Sequence, residues 1–112
     1  MGNAQPNMTG PEAEFVKTEI ENNCVVIFSK TSCPHCHSTK QLFKNLEVNA
    51  KVYELDRRED GAGLQDYLGA LTGARTVPRV FINGKCVGGN SEVQSYNRSG
   101  KLTQMLQECG NN

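Results

Sequence analysis

Two cysteines separated by two residues, Cys33-Pro34-His35-Cys36, are the side chains best suited to chemistry in this sequence. They follow an apolar stretch typical of a strand and begin a stretch typical of a helix. The first thiol is therefore expected at a helix N-terminus, where unpaired backbone N–H groups and the helix dipole stabilise a thiolate. Pro34 suits the first helical position because no N–H is needed there. The pattern predicts a redox dithiol in which Cys36 attacks a disulfide formed on Cys33.

Two further segments have features of a binding site. Thr76-Val77-Pro78 precedes a predicted strand, and Pro78 there forms either an ordinary turn or a cis peptide bond whose free backbone pairs with an incoming peptide. Gly88-Gly89 precedes a predicted helix. It is either a simple turn or a place where a ligand approaches the backbone, with a helix N-terminus suited to a carboxylate behind it. The residues by themselves leave both alternatives open.

The elements that must position these groups follow an α/β order, with Asn83-Gly84 as a strong hairpin signal between the last two strands. The first two strands are expected to be parallel because a helix connects them, and the last two antiparallel. This order predicts a four-stranded mixed β-sheet with helices on both faces. The predicted segments are helix Pro11–Asn22, strand Cys24–Ser29, helix Pro34–Leu46, strand Lys51–Leu55, helix Asp60–Leu71, strands Arg79–Ile82 and Cys86–Val87, and helices Ser91–Asn97 and Gly100–Cys109.

Length and charge are those of one small domain, predicted at residues 11–112 behind a flexible tail at residues 1–10. The 12 Lys and Arg residues balance the 12 Asp and Glu residues, so no net field favours nucleic acid or an anionic membrane. No apolar run approaches the roughly 20 residues that span a bilayer. The N-terminus lacks the apolar region of a secretory signal. A cytoplasmic monomer is expected, able to enter the nucleus by diffusion, or a mitochondrial protein if a presequence is missing.

Taken together, these segments closely resemble the glutaredoxin family. The matching stretches are Phe28–Cys36, Leu71–Ile82 and Gly88-Gly89, and the resemblance extends from about Glu14 to Cys109. The single-domain dithiol glutaredoxins of animals are most similar, the mitochondrial-type branch in particular. The resemblance implies a thioredoxin-like fold and a glutathione-dependent thiol–disulfide oxidoreductase. Its substrates would be protein–glutathione mixed disulfides and protein disulfides, with glutathione reductase and NADPH renewing the glutathione.

The resemblance also implies roles for individual residues, with Cys33 as the nucleophile and Cys36 as the resolving thiol. The remaining matches are to positions that bind glutathione: Lys30 and Gln65 at the glycyl carboxylate, Val77 before a cis Pro78 at the cysteinyl backbone, Ser91 and Glu92 at the γ-glutamyl end, and Thr76 and Gly89 as further glutathione-binding residues. Two residues depart from the family pattern. His35 stands where Tyr is usual, and it either adds positive charge beside the thiolate or points to solvent. Glu92 stands where Asp is usual.

Metal binding is the main alternative from another functional class. A closed zinc site is not expected, because adjacent ligands on one helical turn cannot provide a tetrahedral set. Some glutaredoxins bridge a [2Fe–2S] cluster between two subunits with the first cysteine of each and two glutathiones. The resemblance implies that Pro34 disfavours this function, so no metal is expected. A thioredoxin is not indicated, because the chain has no Trp.

Three cysteines remain outside the motif, namely Cys24, Cys86 and Cys109. In a reducing compartment they are expected to be free thiols, with Cys24 and Cys109 facing the core and Cys86 accessible. The resemblance to the mitochondrial-type branch suggests instead that Cys24 and Cys109 form a second, structural disulfide.

Overall fold

The computed structural model describes residues 9–110, and within that range helices and strands follow the predicted α/β order. Residues 1–8 of the predicted tail and the last two residues of the predicted domain lie outside it. A short 3₁₀ turn, Leu55–Arg57, follows β2. The elements are α1 (Pro11–Asn22), β1 (Val25–Ser29), α2 (Pro34–Asn45), β2 (Lys51–Glu54), α3 (Gly61–Thr72), β3 (Arg79–Ile82), β4 (Lys85–Gly88), α4 (Asn90–Ser99) and α5 (Lys101–Gly110).

The four strands form one mixed sheet in the order β2-β1-β3-β4. Strand β1 pairs in parallel with β2, so that Ser29 lies opposite Glu54. It pairs antiparallel with β3 on its other side, and β3 pairs antiparallel with β4. The predicted four-stranded mixed sheet is therefore confirmed. From the end of β1 the chain passes through the dithiol segment into α2, the helix that connects the parallel strands β1 and β2.

Apolar layers cover both faces of the sheet, which explains the continuous apolar run of β1. Val26 and Phe28 face a cluster formed with α1 and α3, whereas Val25 and Ile27 face a second cluster formed with α2, α4 and α5. All five residues of β1 are buried. A strand buried on both faces packs against a core on each side. The strand end that carries the dithiol is consequently anchored.

Several predicted boundaries were wrong by one or two residues. Cys24 precedes β1 rather than beginning it, and Leu55 starts the 3₁₀ turn rather than ending β2. The side chain of Leu55 is buried in the cluster beneath α3, which draws the chain out of the strand. Helix α4 begins at Asn90, one residue earlier than predicted, and ends at Ser99, two residues later.

The hairpin between β3 and β4 has the predicted turn. Asn83 and Gly84 have φ angles of 54° and 81°, the left-handed conformation that a two-residue hairpin loop requires at both positions. Asn and Gly adopt this conformation more readily than other residues. The hairpin brings the end of β4, and with it Gly88-Gly89, back to the edge of the sheet where β3 begins.

Cys24 and Cys109 form a disulfide between the segment before β1 and the last turn of α5. Their Cα atoms are 5.6 Å apart, and 85 residues separate them in the sequence. The suggested second disulfide is confirmed, and the expectation of free thiols at these two positions is wrong. Cys86 is free and exposed on β4, as predicted.

Candidate active site

Cys33 is the N-cap of α2, with Pro34 in the first turn as predicted. Its Sγ accepts a hydrogen bond from the backbone N–H of Cys36 at 3.1 Å. This contact places the sulfur against the unpaired N–H groups of the first helical turn, where negative charge is stabilised. The Cys33 side chain is partly exposed and its Sγ lies 3.8 Å from the carbonyl oxygen of Val77. Cys33 is thus placed to act as a nucleophile toward a molecule lying along Val77.

Cys36 differs from Cys33 because it is fully buried. Burial, followed by the hydrogen bond with Cys33, raises the pKa of the Cys36 thiol to about 11. At neutral pH it is therefore a thiol, and an external disulfide cannot reach it. Cys33 can therefore react with a substrate disulfide, whereas Cys36 can react only with a disulfide already formed on Cys33.

The loop before Cys33 is held by contacts that the sequence did not indicate. The N–H of Thr31 donates to both carboxylate oxygens of Asp56, at 3.1 and 3.2 Å, and its hydroxyl also donates to that carboxylate. An imidazole nitrogen of His37 lies 2.8 Å from the Thr31 carbonyl oxygen. The hydroxyl of Thr31, followed by its N–H, lowers the pKa of the Asp56 carboxyl. The loop is therefore tied both to the 3₁₀ turn after β2 and to the first turns of α2.

The peptide bond between Val77 and Pro78 is cis, which settles the choice left open by the sequence. Pro78 is buried and β3 begins directly after it. The carbonyl oxygen of Val77 faces Cys33. The backbone of Thr76-Val77 therefore lies beside the reactive sulfur rather than within the sheet ladder.

A groove of about 380 Å³ runs from this backbone to the N-terminus of α4. It brings together six of the eight predicted glutathione-binding residues. These are Thr76, Val77, Pro78, Gly89, Ser91 and Glu92. His35, Arg79 and Asn90 also line the groove, although Arg79 and Asn90 were not predicted. His35 lines this groove and is also exposed, so both of its alternatives stay predictions.

Lys30 and Gln65 do not line the groove. Lys30 follows β1 directly and its carbonyl oxygen accepts the N–H of Cys33 at 3.3 Å. Gln65 is only 9% exposed, and its amide nitrogen donates to the carbonyl oxygen of Arg75 at 2.7 Å. Gln65 thus supports the loop that leads to Thr76. The predicted contact of Lys30 and Gln65 with a glycyl carboxylate stays a prediction.

Glu92 has a local partner as well as a place in the groove. One of its carboxylate oxygens accepts the backbone N–H of Gly89, the N-cap of α4, at 2.8 Å. This bond is the first cause that lowers the pKa of Glu92, so the side chain is ionised near neutral pH. Glu92 therefore caps its own helix and presents a negative charge at the groove. Its predicted contact with an ammonium group stays a prediction.

Residues 9–110 contain neither of two other features, a cluster of metal-binding side chains and a helix that could span a membrane. No three side chains of His, Cys, Asp or Glu cluster closely enough there to hold a metal ion. None of the helices in this part of the chain is long and apolar enough to cross a membrane.

Comparisons with known proteins agree with this geometry. The model of the glutaredoxin family matches residues 25–87. Bovine mitochondrial glutaredoxin-2 is 44% identical over 97% of this chain and 72% of its own length, and glutaredoxin-C4 of Arabidopsis thaliana is 47% identical over 92% and 76%. The crystal structure of a buckwheat glutaredoxin–glutathione complex superimposes with a TM-score of 0.82 and 40% identity, covering 91% of this chain and 96% of that one.

Proposed function

The chain belongs to the glutaredoxin family of thiol–disulfide oxidoreductases, and we propose that it reduces protein–glutathione mixed disulfides and protein disulfides through Cys33 and Cys36 with glutathione as the electron donor. The observation that carries this proposal is the contrast between the two thiols. Cys33 is partly exposed at a helix N-terminus beside a groove, and Cys36 is fully buried behind it.

In the first step, the Cys33 thiolate attacks the glutathione sulfur of a protein–glutathione mixed disulfide. A new disulfide forms between Cys33 and glutathione, the original disulfide breaks, and the protein leaves as a thiolate that takes a proton from solvent. The groove next to Val77 provides space for the glutathione portion. The N–H of Cys36 stabilises the Cys33 thiolate both before attack and when it leaves again.

In the second step, the thiolate of a free glutathione attacks the sulfur of the glutathione bound to Cys33. Oxidised glutathione leaves and the Cys33 thiolate returns. One free glutathione is consumed for each mixed disulfide reduced, and the protein substrate ends as a thiol. Neither step needs Cys36.

Cys36 is needed when Cys33 is joined to a protein instead of to glutathione. Its sulfur then attacks Cys33, an internal disulfide forms, and the reduced protein leaves. Two glutathiones subsequently reduce the internal disulfide. The position of Cys36 three residues after Cys33, in the first turn of α2, makes this attack possible.

The test is reduction of a glutathione mixed disulfide coupled to glutathione reductase and NADPH. We expect activity in the wild-type protein and in Cys36→Ser, and none in Cys33→Ser. Cys86→Ser is the matched control for removal of a thiol outside the site, and it should match the wild type. A wild-type protein without activity contradicts the proposal. Iron analysis of anaerobically purified protein then shows whether the cluster-binding alternative replaces it.

A further inference from the structure

Arg79 is a buried cation without an ionic partner in the described part of the chain. Only 9% of its surface is exposed. Its Nε donates to the carbonyl oxygen of Pro78 at 3.3 Å, and none of the ion pairs formed within residues 9–110 includes it. Partial burial limits the access of water to the guanidinium, and this strengthens its attraction for an anion. An anion that binds beside Arg79 would therefore be attracted more strongly than by an exposed arginine.

The guanidinium lies at the groove beside the candidate active site. Arg79 lines this groove together with Val77 and Pro78. A Cβ atom placed on Gly89 would be 3.1 Å from a terminal nitrogen of Arg79. Because Gly89 has no side chain, the guanidinium of Arg79 can pack against the start of α4. A ligand that enters the groove meets a planar donor suited to a carboxylate.

Charges of opposite sign occupy this end of the groove. The Glu92 carboxylate is fixed by the N–H of Gly89 at 2.8 Å, and Arg79 approaches the same glycine from the side of β3. The two charges influence each other, although no ion pair of 4.0 Å or less joins them within residues 9–110. A cation and an anion held apart in this way complement an α-amino acid terminus, in which an ammonium and a carboxylate share one carbon. The γ-glutamyl end of glutathione is such a terminus, whereas the glycyl end has only a carboxylate.

We propose that Arg79 binds the α-carboxylate of the γ-glutamyl residue, with Glu92 facing the neighbouring ammonium. This inference rests on the proposed use of glutathione. It assigns Arg79 as a residue that recognises one end of that molecule. Selectivity for γ-glutamyl thiols over other small thiols then originates from a side chain of β3, directly after the cis peptide bond.

The experiment measures binding instead of catalysis, so that it does not depend on the redox steps. S-Methylglutathione is titrated into the protein and followed by NMR. It is compared with two monoamides, one blocked at the γ-glutamyl α-carboxylate and one at the glycyl carboxylate. Each ligand is measured with the wild type and with Arg79→Gln. The four combinations for each amide form a cycle that isolates the contact between Arg79 and that carboxylate.

For the wild type, we expect amidation of the γ-glutamyl carboxylate to weaken binding about 10- to 100-fold. For Arg79→Gln, S-methylglutathione should already bind that much more weakly, and the same amidation should change its affinity less than threefold. Amidation of the glycyl carboxylate should cost both proteins the same factor. Arg79→Lys keeps the charge but loses the planar pair of donors, and should retain part of the affinity.

Three results would overturn the inference. One is a wild type that binds the γ-glutamyl amide as well as S-methylglutathione, which needs no variant and so holds even if Arg79→Gln does not fold. Another is equal loss on amidation in both proteins, which would make Arg79 a purely structural residue. The last is no binding of S-methylglutathione by the wild type. The proposed function fails separately, by an inactive wild type in the coupled assay.

Discussion

Burial of Cys36 slows formation of the internal disulfide at neutral pH. When Cys33 is linked to glutathione, either free glutathione or Cys36 can attack next. With a pKa of about 11, roughly one Cys36 in ten thousand is a thiolate at pH 7, against roughly one in a hundred for the ordinary value of 9.0. Burial is the main cause and persists when Cys33 is in a mixed disulfide. Few Cys36 thiolates are then available for attack, and Cys36→Ser should lose little activity on glutathione mixed disulfides because neither step of that reaction uses Cys36.

The pH dependence of internal disulfide formation tests this reasoning quantitatively. If only the thiolate of Cys36 attacks and burial alone keeps its pKa at about 11 in the mixed disulfide, the rate should rise about 90-fold between pH 8 and pH 10. A pKa of 9.0 predicts a rise of only about tenfold, with a plateau above pH 9. The two predictions differ because a thiol with a pKa of about 11 is still mostly protonated at pH 10, whereas a thiol with a pKa of 9.0 is mostly ionised.

The assay begins with reduced Cys86→Ser protein, so that the exposed cysteine cannot react. Rapid mixing with oxidised glutathione, acid quenching and mass spectrometry separate the mixed disulfide on Cys33 from the internal disulfide. Cys36→Ser in the same background is the control, and it should accumulate only the mixed disulfide. A plateau near pH 9 in the protein that retains Cys36 would refute the argument that burial holds this sulfur in its thiol form.

Three other changes test the fold and the helix cap. In a Cys36→Ser background, Cys24→Ser should lower the free energy of unfolding by about 2–4 kcal/mol, because it opens a long covalent loop. Urea titrations without reductant measure this, and an unchanged free energy of unfolding would contradict it. Gly61→Ala should lower the free energy of unfolding by about 3 kcal/mol or more, because its Cβ would lie 1.8 Å from a carbonyl oxygen of the 3₁₀ turn. The control Gly63→Ala meets only a flexible side chain and should change the free energy of unfolding by less than about 1 kcal/mol. Thermal melts measure both. Glu92→Gln should cost about 0.5 kcal/mol at pH 7. Because the folded pKa of Glu92 lies below 4.5, the wild-type advantage should be complete above pH 4.5 and disappear as the pH falls through the lowered value, and an equal difference at pH 7 and pH 3 would contradict the charged cap.

Most of the fold could be predicted from the sequence because its signals are local. The apolar run of β1 and the Asn83-Gly84 turn each determine a structure over a few residues, and both are present as predicted. The errors occurred where a distant contact decides the local structure. Leu55 has the alternation of a strand residue, yet its burial beneath α3 turns the chain into a 3₁₀ turn.

The two cysteines of the candidate site were predictable from local sequence, whereas the residues that position them were not. Cys33 and Cys36 identify themselves by spacing and by their position between a strand and a helix. The contact of Thr31 with Asp56 was not predictable, because 25 residues separate two polar side chains that have many possible partners. Arg79 was missed for a related reason. A charged residue at the start of a strand usually faces solvent, and only the packing of the chain around it shows that this one is buried.

The disulfide between Cys24 and Cys109 gives this molecule two sulfur couples that are insulated from each other. Cys24 precedes β1 and Cys33 lies beyond its far end, so a strand of five residues, roughly 17 Å long, stands between them. Thiol–disulfide exchange requires sulfur atoms in contact, and a rigid strand of this length prevents it. The couple at Cys33 can therefore cycle many times while the other keeps its oxidation state. Reductant titrations should resolve two independent transitions, one visible in activity and the other in resistance to unfolding.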